Sequence, residues 1–514
     1  MSAEGPDLLS QLRAQRVAQE AFEPTGEELV HADAEDPDAT GARRGRPSVA
    51  SQLVVLVREH AVELCHDDDG VTYVRYGVAP RVQTWPLESR TTREWMAHLY
   101  YMTHGGAPRA QALADATATL AGIARYDGPR RMVYLRTART PDAVLHDMCD
   151  EAWRAVTVTP GGWRVGPAPV IYRRPVAARA VAEPRRGGTV GDVIDRLDLP
   201  AATARHVITW VIASILGDAP VPVLELTGPA GSGKTTLMRR IRSMIDPHDA
   251  DARAAPRSVE DLYVAARHAY VLATDNLSHI GTEMSDALCV LCTGGGYARR
   301  TLYTTDEETV LRARRPIIMT GVTPVITAPD LLDRAIAIAL APREDRDRAT
   351  EDDLERMWTA TLPVSMGVIY DLTAAVMRER SATRLASLPR MADYAVTGET
   401  LSRICGWPSY AAEYAAHRGE LAARGVDSSP VAAALLEEMR TTARYDGTLG
   451  GLAQVLARRR ADTDGWPRSV RGVADAIRRA APGLASAGIT IAWDPVRHTD
   501  GYHVTIHRAL EWRP

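Results

Sequence analysis

The sequence predicts an α/β P-loop core, with an α+β domain before it and a winged-helix domain after it. Three observations lead to this fold class. Apolar strands alternate with helical runs between residues 190 and 345, as in a parallel sheet with crossover helices. A glycine-rich loop, residues 228–236, stands between one of these strands and a helix. Three helical runs followed by two strand-like runs fill the chain from residue 430 onward.

Length and composition allow several domains and constrain the partners only weakly. The 514 residues suffice for about two to four domains. Lys and Arg number 61 against 65 Asp and Glu, so a contact with nucleic acid requires a local basic surface. Five scattered cysteines suit a reducing compartment, and the most apolar run, residues 207–216, is far shorter than the ~20 residues of a membrane span. We therefore expect a cytoplasmic protein without a membrane segment.

Changes in composition divide the chain into five segments. The first is rich in Ala, Asp, Glu and Pro, which predicts a disordered acidic tail. A basic, Gly-rich stretch at 184–188 is the expected linker before the core. The predicted segments are 1–48 for the tail, 49–188 for the α+β N-terminal domain, 189–345 for the P-loop core, 346–428 for a helical region and 429–514 for the winged-helix domain.

The strongest motif is a phosphate-binding loop. It follows the apolar strand Pro222–Thr227 and leads into the helical run Leu237–Ile245. Its glycines let backbone N–H groups surround phosphates, and the helix N-terminus adds its dipole. Lys234 is expected to reach the β and γ oxygens of ATP, and Thr235 to ligate Mg²⁺. The residues predicted to bind ATP are Gly228, Pro229, Ala230, Gly231, Ser232, Gly233, Lys234, Thr235 and Thr236.

A second strand, predicted over His268–Thr274, ends in Asp275. An acid at the carboxyl end of a strand beside the P-loop strand is the expected second contact to Mg²⁺. Asn276 follows, and an amide can orient a water but cannot accept its proton, so either another acid such as Glu283 or Asp286 helps or hydrolysis is slow. Lys234 is the only lysine of the chain and Asn276 the only asparagine. Unless this is chance, both positions need these residue types.

Two further residues are candidates for the hydrolysis step. Thr320 ends the predicted strand Arg315–Gly321, where it could contact the γ-phosphate or hold the attacking water. Arg334 precedes another strand, where ring ATPases present an arginine to the nucleotide of a neighbouring subunit. The alternative for Arg334 is a salt bridge, for example with Asp333. The predicted catalytic residues are Lys234, Asp275, Asn276, Thr320 and Arg334.

Two arginine-rich regions are candidates for contact with nucleic acid. Residues 293–303 combine three glycines with two arginines and two tyrosines, which suits a loop or hairpin that follows a nucleic-acid backbone; a hinge with solvated arginines is the alternative. The third helical run of the C-terminal domain, residues 469–481, is basic like a DNA-reading helix, with a protein-binding winged helix as the alternative. The predicted nucleic-acid contacts are Arg299, Arg300, Arg468, Arg471 and Arg478.

The order of these elements resembles the superfamily 3 helicases, AAA+ ATPases that include poxvirus-type primase-helicases and relatives from phages, plasmids and integrative elements. The resemblance implies an AAA+-type core, ATP and Mg²⁺ as cofactors, single-stranded or forked DNA as partner, and a homo-oligomer in the form of a hexameric ring. In two places the chain departs from the pattern: helicases of this group usually have Asn where Thr320 stands, and many ATPases have an acid where Asn276 stands. The residues that carry the resemblance are Gly228–Thr236, Val271–Asn276, Arg315–Gly321 and Asp330–Arg334.

The sequence therefore predicts an ATP-dependent nucleic-acid motor, a superfamily 3-like DNA helicase or remodeller in mobile-element replication. The alternative is an ATP-gated DNA-binding or signalling switch, including a defence ATPase, with little unwinding activity. ATP turnover with and without DNA distinguishes them, since a motor should be stimulated strongly.

Overall fold

A computed structural model of the chain describes residues 47–300, 308–343, 349–459 and 466–509. Nearly all of the predicted tail, residues 1–48, lies outside these ranges. Ala50–Pro514 form one compact unit, and its architecture is mixed α/β.

The region before the core combines helices with small antiparallel sheets. One sheet has the strand order β1-β2-β3 and another the order β5-β6-β7-β8. The segment His66–Gly70 forms a hairpin turn, in which the Asp67 N–H donates to the Val71 carbonyl and Gly70 has a φ of 75°. The elements are α1 (Val49–His60), β1 (Ala61–His66), β2 (Thr72–Val78), β3 (Arg81–Pro86), α2 (Arg90–His104), α3 (Ala110–Tyr126), β4 (Val133–Tyr134), β5 (Thr137–Arg139), β6 (Val144–Asp147), β7 (Arg154–Thr159), β8 (Gly162–Pro167) and β9 (Ile171–Tyr172).

The core is a four-stranded parallel sheet with the order β11-β14-β10-β15. All five residues of β10 are buried, as expected for a strand covered on both faces. Parallel strands end at a common edge, so the residues that follow β10, β11 and β14 are brought together. The elements are α4 (Val190–Leu197), α5 (Ala201–Leu216), β10 (Val223–Thr227), α6 (Lys234–Ile245), α7 (Val259–His268), β11 (Leu272–Leu277), α8 (Thr282–Thr293), β12 (Gly295–Arg300), β13 (Glu308–Ala313), β14 (Ile317–Gly321), α9 (Pro329–Leu332) and β15 (Ala335–Ala339).

Strand β11 begins later than the sequence predicts. His268 is the last residue of α7, not the first of a strand. The N–H groups of Tyr270 and Val271 donate to the buried carboxylate of Asp246, at 2.8 and 3.0 Å, so they are not available to a neighbouring strand. Ladder pairing with β14 therefore starts at Leu272.

Strands β12 and β13 form an antiparallel hairpin between β11 and β14 in the chain. This is one of the two forms predicted for residues 293–303, although residues 301–307 fall outside the described ranges.

Three long helices follow the core. The span Glu351–Ala382 is long and apolar enough to cross a bilayer, and the bent pair α4–α5 passes the same test if taken together. The apolar window of Glu351–Ala382 is 67% buried against the rest of the chain, and core helices of this kind also pass, so this is weak evidence for a membrane segment. The helices are α10 (Glu351–Glu379), α11 (Ala392–Cys405) and α12 (Tyr410–Asp427).

The C-terminal region places three helices on a three-stranded antiparallel sheet of order β16-β18-β17. The sequence predicts only two of these strands, because the pattern of the first helical run of this region continues from Val431 to Arg444. In the structure Thr442 ends that helix in an extended conformation, and β16 pairs with β18. The elements are α13 (Pro430–Thr441), β16 (Arg444–Thr448), α14 (Leu449–Arg458), α15 (Val470–Ser486), β17 (Ile489–His498) and β18 (Gly501–Arg508).

Buried polar contacts attach the N-terminal region to the core. The Arg136 guanidinium lies 2.8 Å from the Asp246 carboxylate, and both side chains are less than 5% exposed. His146 of β6 donates from Nε2 to the carbonyl of Ile245 at 2.7 Å, because a carbonyl only accepts. Its Nδ1 therefore accepts the Tyr370 hydroxyl of α10, also at 2.7 Å. The imidazole is held neutral, since burial lowers the pKa of His146 to about 4.

We expect this histidine to make the fold acid-sensitive. A histidine in the unfolded chain titrates near pH 6.5, whereas His146 in the folded chain titrates near pH 4. Between these two pH values the unfolded chain therefore binds one proton more than the folded chain, which favours unfolding. Between pH 7 and pH 5, His146 should lower the free energy of unfolding by about 2 kcal/mol. Urea unfolding of wild type and His146→Gln at both pH values measures this. The variant should lose that part of the pH dependence, whereas a His98→Gln control on the exposed surface of α2 should keep it. Equal pH dependence in all three proteins would contradict the assignment.

Candidate functional site

The candidate site begins with the loop between β10 and α6. Three of its glycines have positive φ: Gly228 at 149°, Gly231 at 77° and Gly233 at 84°. A Cβ added at Gly228 would lie 2.5 Å from the Leu340 carbonyl oxygen, so only glycine fits there. The loop therefore turns tightly and directs the first N–H groups of α6 towards the space above the sheet edge.

Lys234, the first residue of α6, folds back over this loop. Its ammonium group donates to the carbonyls of Gly228 and Pro229 at 2.7 and 2.8 Å. The side chain is half-buried, and neutral carbonyls are weaker partners for a cation than phosphate oxygens. The lysine thus lies where the motif requires it and can exchange these contacts for an anion.

Asp275 of β11 joins three elements at the same edge of the sheet. The Thr235 hydroxyl of α6 lies 3.1 and 3.2 Å from the two carboxylate oxygens. The Thr320 hydroxyl of β14 donates to Oδ1 at 2.5 Å. The predicted Mg²⁺ ligands Thr235 and Asp275 are therefore adjacent, and they are the oxygen donors that Mg²⁺ accepts together with substrate phosphates.

No group of three or more His, Cys, Asp or Glu side chains suited to a metal occurs in the described ranges. A Mg²⁺ ion here would consequently depend on nucleotide phosphates for the remaining ligands.

Asn276 has a backbone conformation that explains its residue type. Its φ is 56°, in the left-handed region that asparagine tolerates better than most residues. Its N–H donates to the Thr320 hydroxyl at 2.9 Å, and the pairing of β11 with β14 is irregular between Thr274 and Leu277. Asn276 therefore forms a bulge that turns Asp275 towards the loop. Thr320 is fully buried between Asp275 and Asn276, so its hydroxyl orients the carboxylate.

Arg334 lies in a position that differs from the one expected of a residue presented to a neighbouring subunit. Its side chain is 10% exposed and pairs with Asp330 at 2.6 Å. The same guanidinium donates to the Asp330 carbonyl and contacts the buried Cys289 thiol. The geometry corresponds to the alternative interpretation, a salt bridge within the chain, but with Asp330 as partner. Asp333 pairs with Arg418 instead.

Sequence reasoning missed Arg343, which lies against the glycine-rich loop. It follows β15, and its Nε is 3.3 Å from the position that a Cβ on Gly233 would occupy. Its guanidinium pairs with Asp198, just beyond α4, at 2.8 Å. No local motif marks this residue, because β15, the loop and α4 meet only in the folded chain.

The predicted nucleic-acid contacts lie on two other elements. Arg299 and Arg300 belong to β12, and their side chains are outside what the structure describes. The Arg471 side chain on α15 is 89% exposed. Arg478, seven residues further along α15, lies over the Trp493 ring at 4.5 Å and pairs with Asp475. Arg468 is exposed just before α15.

The fold and this site define a mixed α/β protein with a glycine-rich loop, a lysine and a threonine–aspartate pair at the carboxyl edge of its parallel sheet. Residues 196–422 match the family described as "Actinomycete integrative conjugative element replication protein", and residues 431–511 match the "AICE RepA C-terminal domain". Over these two regions the chain is similar to the replication proteins of actinomycete integrative conjugative elements. This agrees with one of the three predicted origins, a phage, a plasmid or an integrative element.

The solved structures that match this chain in a structural comparison include helicases. "SCCmec type IV Cch - active helicase" is 11% identical with a TM-score of 0.45, and covers 87% of this chain and 94% of its own. The apo NrS-1 C-terminal region is 11% identical with a TM-score of 0.39, and covers 90% of this chain and 100% of its own. A JCV helicase is 15% identical with a TM-score of 0.24, over 43% of this chain and 65% of its own. At such TM-scores these likenesses carry no argument about activity. No curated protein matches the chain.

We expect the left-handed backbone at Asn276 to decide which substitutions are tolerated. Asn276→Gly should leave the free energy of unfolding within a few tenths of a kcal/mol, because glycine adopts this φ freely. Asn276→Val should cost at least about 1–2 kcal/mol, because a β-branched residue is strained there. Urea unfolding of both variants measures the difference. Similar losses in both would mean that the amide side chain, and not the backbone, carries the role of this residue.

Proposed function

We propose that the chain is an ATP-hydrolysing, DNA-acting replication protein with a P-loop core of the AAA+, superfamily 3 type. The observation that carries the proposal is the contact between Thr235, Asp275 and Thr320 beside the Lys234 loop. This is the arrangement needed to hold Mg²⁺ and the β and γ phosphates of ATP. The match of residues 196–422 to a replication protein family supports DNA as the other partner.

Each residue of the site has a specific proposed role. Backbone N–H groups of residues 228–236 bind the phosphates, with Gly228, Gly231 and Gly233 permitting the turn. Lys234 contacts the β and γ oxygens, while Thr235 and Asp275 hold Mg²⁺. The ion, when bound, neutralises charge on the phosphates. Thr320 and Asn276 orient the Asp275 carboxylate, which makes them positioning residues.

Arg343 is the cation that we propose for the developing charge on the γ-phosphate. It already lies beside Gly233, whereas Arg334 would first have to leave Asp330 and a largely buried position. A binding anion would compete with Asp198 for the Arg343 guanidinium. Action of Arg334 on a neighbouring subunit, and assembly into a hexameric ring, remain predictions.

We expect Lys234 and Arg343 to separate binding from hydrolysis. Lys234→Ala should abolish ATP binding and turnover, because it removes the phosphate ligand. Arg343→Ala should keep Mg-ATP binding within a few-fold but lower the turnover by about 10²-fold or more, as expected of a group that stabilises the transition state. Binding of a fluorescent ATP analogue and phosphate release measure the two steps.

Arg356→Ala serves as the control, because this arginine is exposed on α10 and pairs with Asp353. It should match wild type in both assays. Full turnover in Arg343→Ala would show that another group acts on the γ-phosphate.

The C-terminal region is proposed to be a DNA-binding winged helix. Its order of helix, strand, helix, helix, strand, strand supports this, with α15 as the third helix. Arg471 extends from α15 into solvent, and Arg478 keeps one face on Trp493. Both arginines share Asp475, at 4.0 and 3.1 Å, which phosphate oxygens would replace as partner.

We expect Arg471→Ala and Arg478→Ala together to weaken DNA binding and reduce its dependence on salt. Each lost phosphate contact should lower the slope of log K against log salt by about one. Fluorescence anisotropy with a labelled duplex between about 50 and 300 mM NaCl measures this slope. An Arg440→Ala control, on α13, should leave the slope unchanged. If the double variant also leaves it unchanged, α15 contacts protein rather than DNA.

The alternative is an ATP-gated switch, and one observation favours it. Within the described ranges, the position after Asp275 holds the amide of Asn276, and no carboxylate other than Asp275 contacts Thr235 or Thr320. Without a base near the attacking water, hydrolysis would be slow. A motor should hydrolyse ATP much faster with forked or single-stranded DNA, whereas a switch should bind DNA more tightly with ATP and turn over slowly under both conditions.

A further inference from the structure

A cavity of about 590 Å³ lies at the opposite edge of the core sheet from the glycine-rich loop. Its core wall is formed by residues that precede β11 and β14, and its other wall by the end of β4, β5 and the residue after β9. The base of the β12–β13 hairpin, Gly294 and Ala313, completes the rim. Its charged lining residues are Asp67, Asp69, Arg139, Arg173, Arg267, Arg314 and Arg315.

The lining has more cations than anions, five arginines against two aspartates. Arg139 has a carboxylate partner, Asp218, at 2.9 Å. In the part of the chain that the structure describes, no carboxylate pairs with the other four. Arginines without an acidic partner in a partly enclosed space create a positive potential that attracts an anion.

Three of these arginines are held in place by carbonyl oxygens. Arg173 donates to the Arg267 carbonyl at 2.6 Å, and Arg314 donates to the Gly217 carbonyl at 2.6 Å. Arg315 donates to the carbonyls of Ala266 and Arg314, both at 2.9 Å. A guanidinium has five N–H donors, so each retains donors for a ligand. The guanidinium groups are thus fixed before any ligand arrives.

The arginines also lie close enough to repel one another. Burial, together with the positive charges of Arg173 and Arg314, lowers the pKa of Arg315 to about 10. The Tyr270 ring, 6.0 Å from the Arg315 guanidinium, and the Asp246 carboxylate act in the opposite direction and raise this pKa. A bound anion would relieve this repulsion.

One of the two aspartates of the lining already has hydrogen-bond partners. Asp67 accepts the N–H groups of Asp69 and Val71 and the hydroxyl of Tyr73, so its oxygens serve the β1–β2 turn. Asp69 lies on the same turn. Neither carboxylate is within ion-pair distance of a described arginine of the cavity, and the region facing Arg173, Arg314 and Arg315 remains positive.

We propose that this cavity binds the phosphodiester backbone of a nucleic-acid strand, with Arg173, Arg314 and Arg315 as the phosphate contacts. The inference rests on the proposed action on DNA and adds a second contact surface, distinct from α15. A strand fits better than a free phosphate because the space is far larger than one phosphate and opens at the base of the β12–β13 hairpin. Arginine forks hold phosphate oxygens in pairs, without regard to base sequence.

The test uses the full-length protein and a 20-nucleotide oligo(dT) that carries 5-iododeoxyuridine, with ultraviolet cross-linking and mass spectrometry. Wild type should give cross-links in peptides that line the cavity, around residues 132–139 and 263–270. Arg173→Gln and Arg315→Gln should each reduce these cross-links several-fold and lower the salt slope of oligo(dT) binding by about one. Arg384→Gln is the matched control, since Arg384 also donates only to carbonyls but lies outside the cavity.

Three results would overturn the proposal. The first is the absence of cross-links in the cavity peptides, and the second is equal cross-linking in the cavity variants and the control. The third is loss of the cavity cross-links when 1 mM pyrophosphate is added, together with no loss when unlabelled oligo(dT) is added. Arg173→Gln lies on the N-terminal wall and Arg315→Gln on the core wall, so loss of fold in one leaves the other informative. ATP turnover without DNA is measured in parallel: if it depends on Lys234 while the cavity does not cross-link, only this inference fails and the proposed ATPase stands.

Discussion

The buried ion pair between Arg136 and Asp246 is the contact on which the rest of the arrangement depends. Burial alone would raise the pKa of Asp246, but Arg136, Arg242 and the Val271 N–H together hold it below its usual value. One carboxylate oxygen accepts a hydrogen bond from Arg136 of the N-terminal region, and the other accepts from the N–H groups of Tyr270 and Val271. Removing one partner of such a pair typically costs about 3–5 kcal/mol, since the other charge stays buried. The same carboxylate therefore joins two regions and fixes where β11 begins.

The start of β11 determines what its other end can do. From Leu272 the strand runs beside β14 until the bulge at Asn276, and this places Asp275 between Thr235 and Thr320. The left-handed backbone at Asn276 matters because it lets one hydroxyl, that of Thr320, bond both the carboxylate and the following N–H. A threonine at this position holds Asp275 directly, so its proposed role differs from contact with the γ-phosphate.

Sequence reasoning was informative where the chemistry is local. The loop 228–236, the Thr235–Asp275 pair that is proposed to hold Mg²⁺, and the helix–strand order of the core follow from contiguous patterns. The structure brings the loop and this pair together. It was less informative where a residue's role depends on distant partners. Arg334 has its partner one helical turn away, in Asp330, yet its burial depends on α8. Arg343 reaches the loop only because β15 lies beside β10, and no pattern in the sequence reports that.

Strand β14 connects the two proposed binding regions and limits how they influence each other. Arg315 lies just before it and Thr320 near its end, roughly 17 Å apart at about 3.3 Å per residue. β14 is paired on both sides, with β10 and β11, so it cannot slide without breaking two ladders and turning its buried side chains over. Any coupling between a strand in the cavity and a nucleotide on the loop must therefore pass through parts that can move while the sheet stays fixed. The described candidates are the β12–β13 hairpin, which joins the cavity rim at Gly294 and Ala313, and the Arg343 guanidinium, which can exchange Asp198 for phosphate.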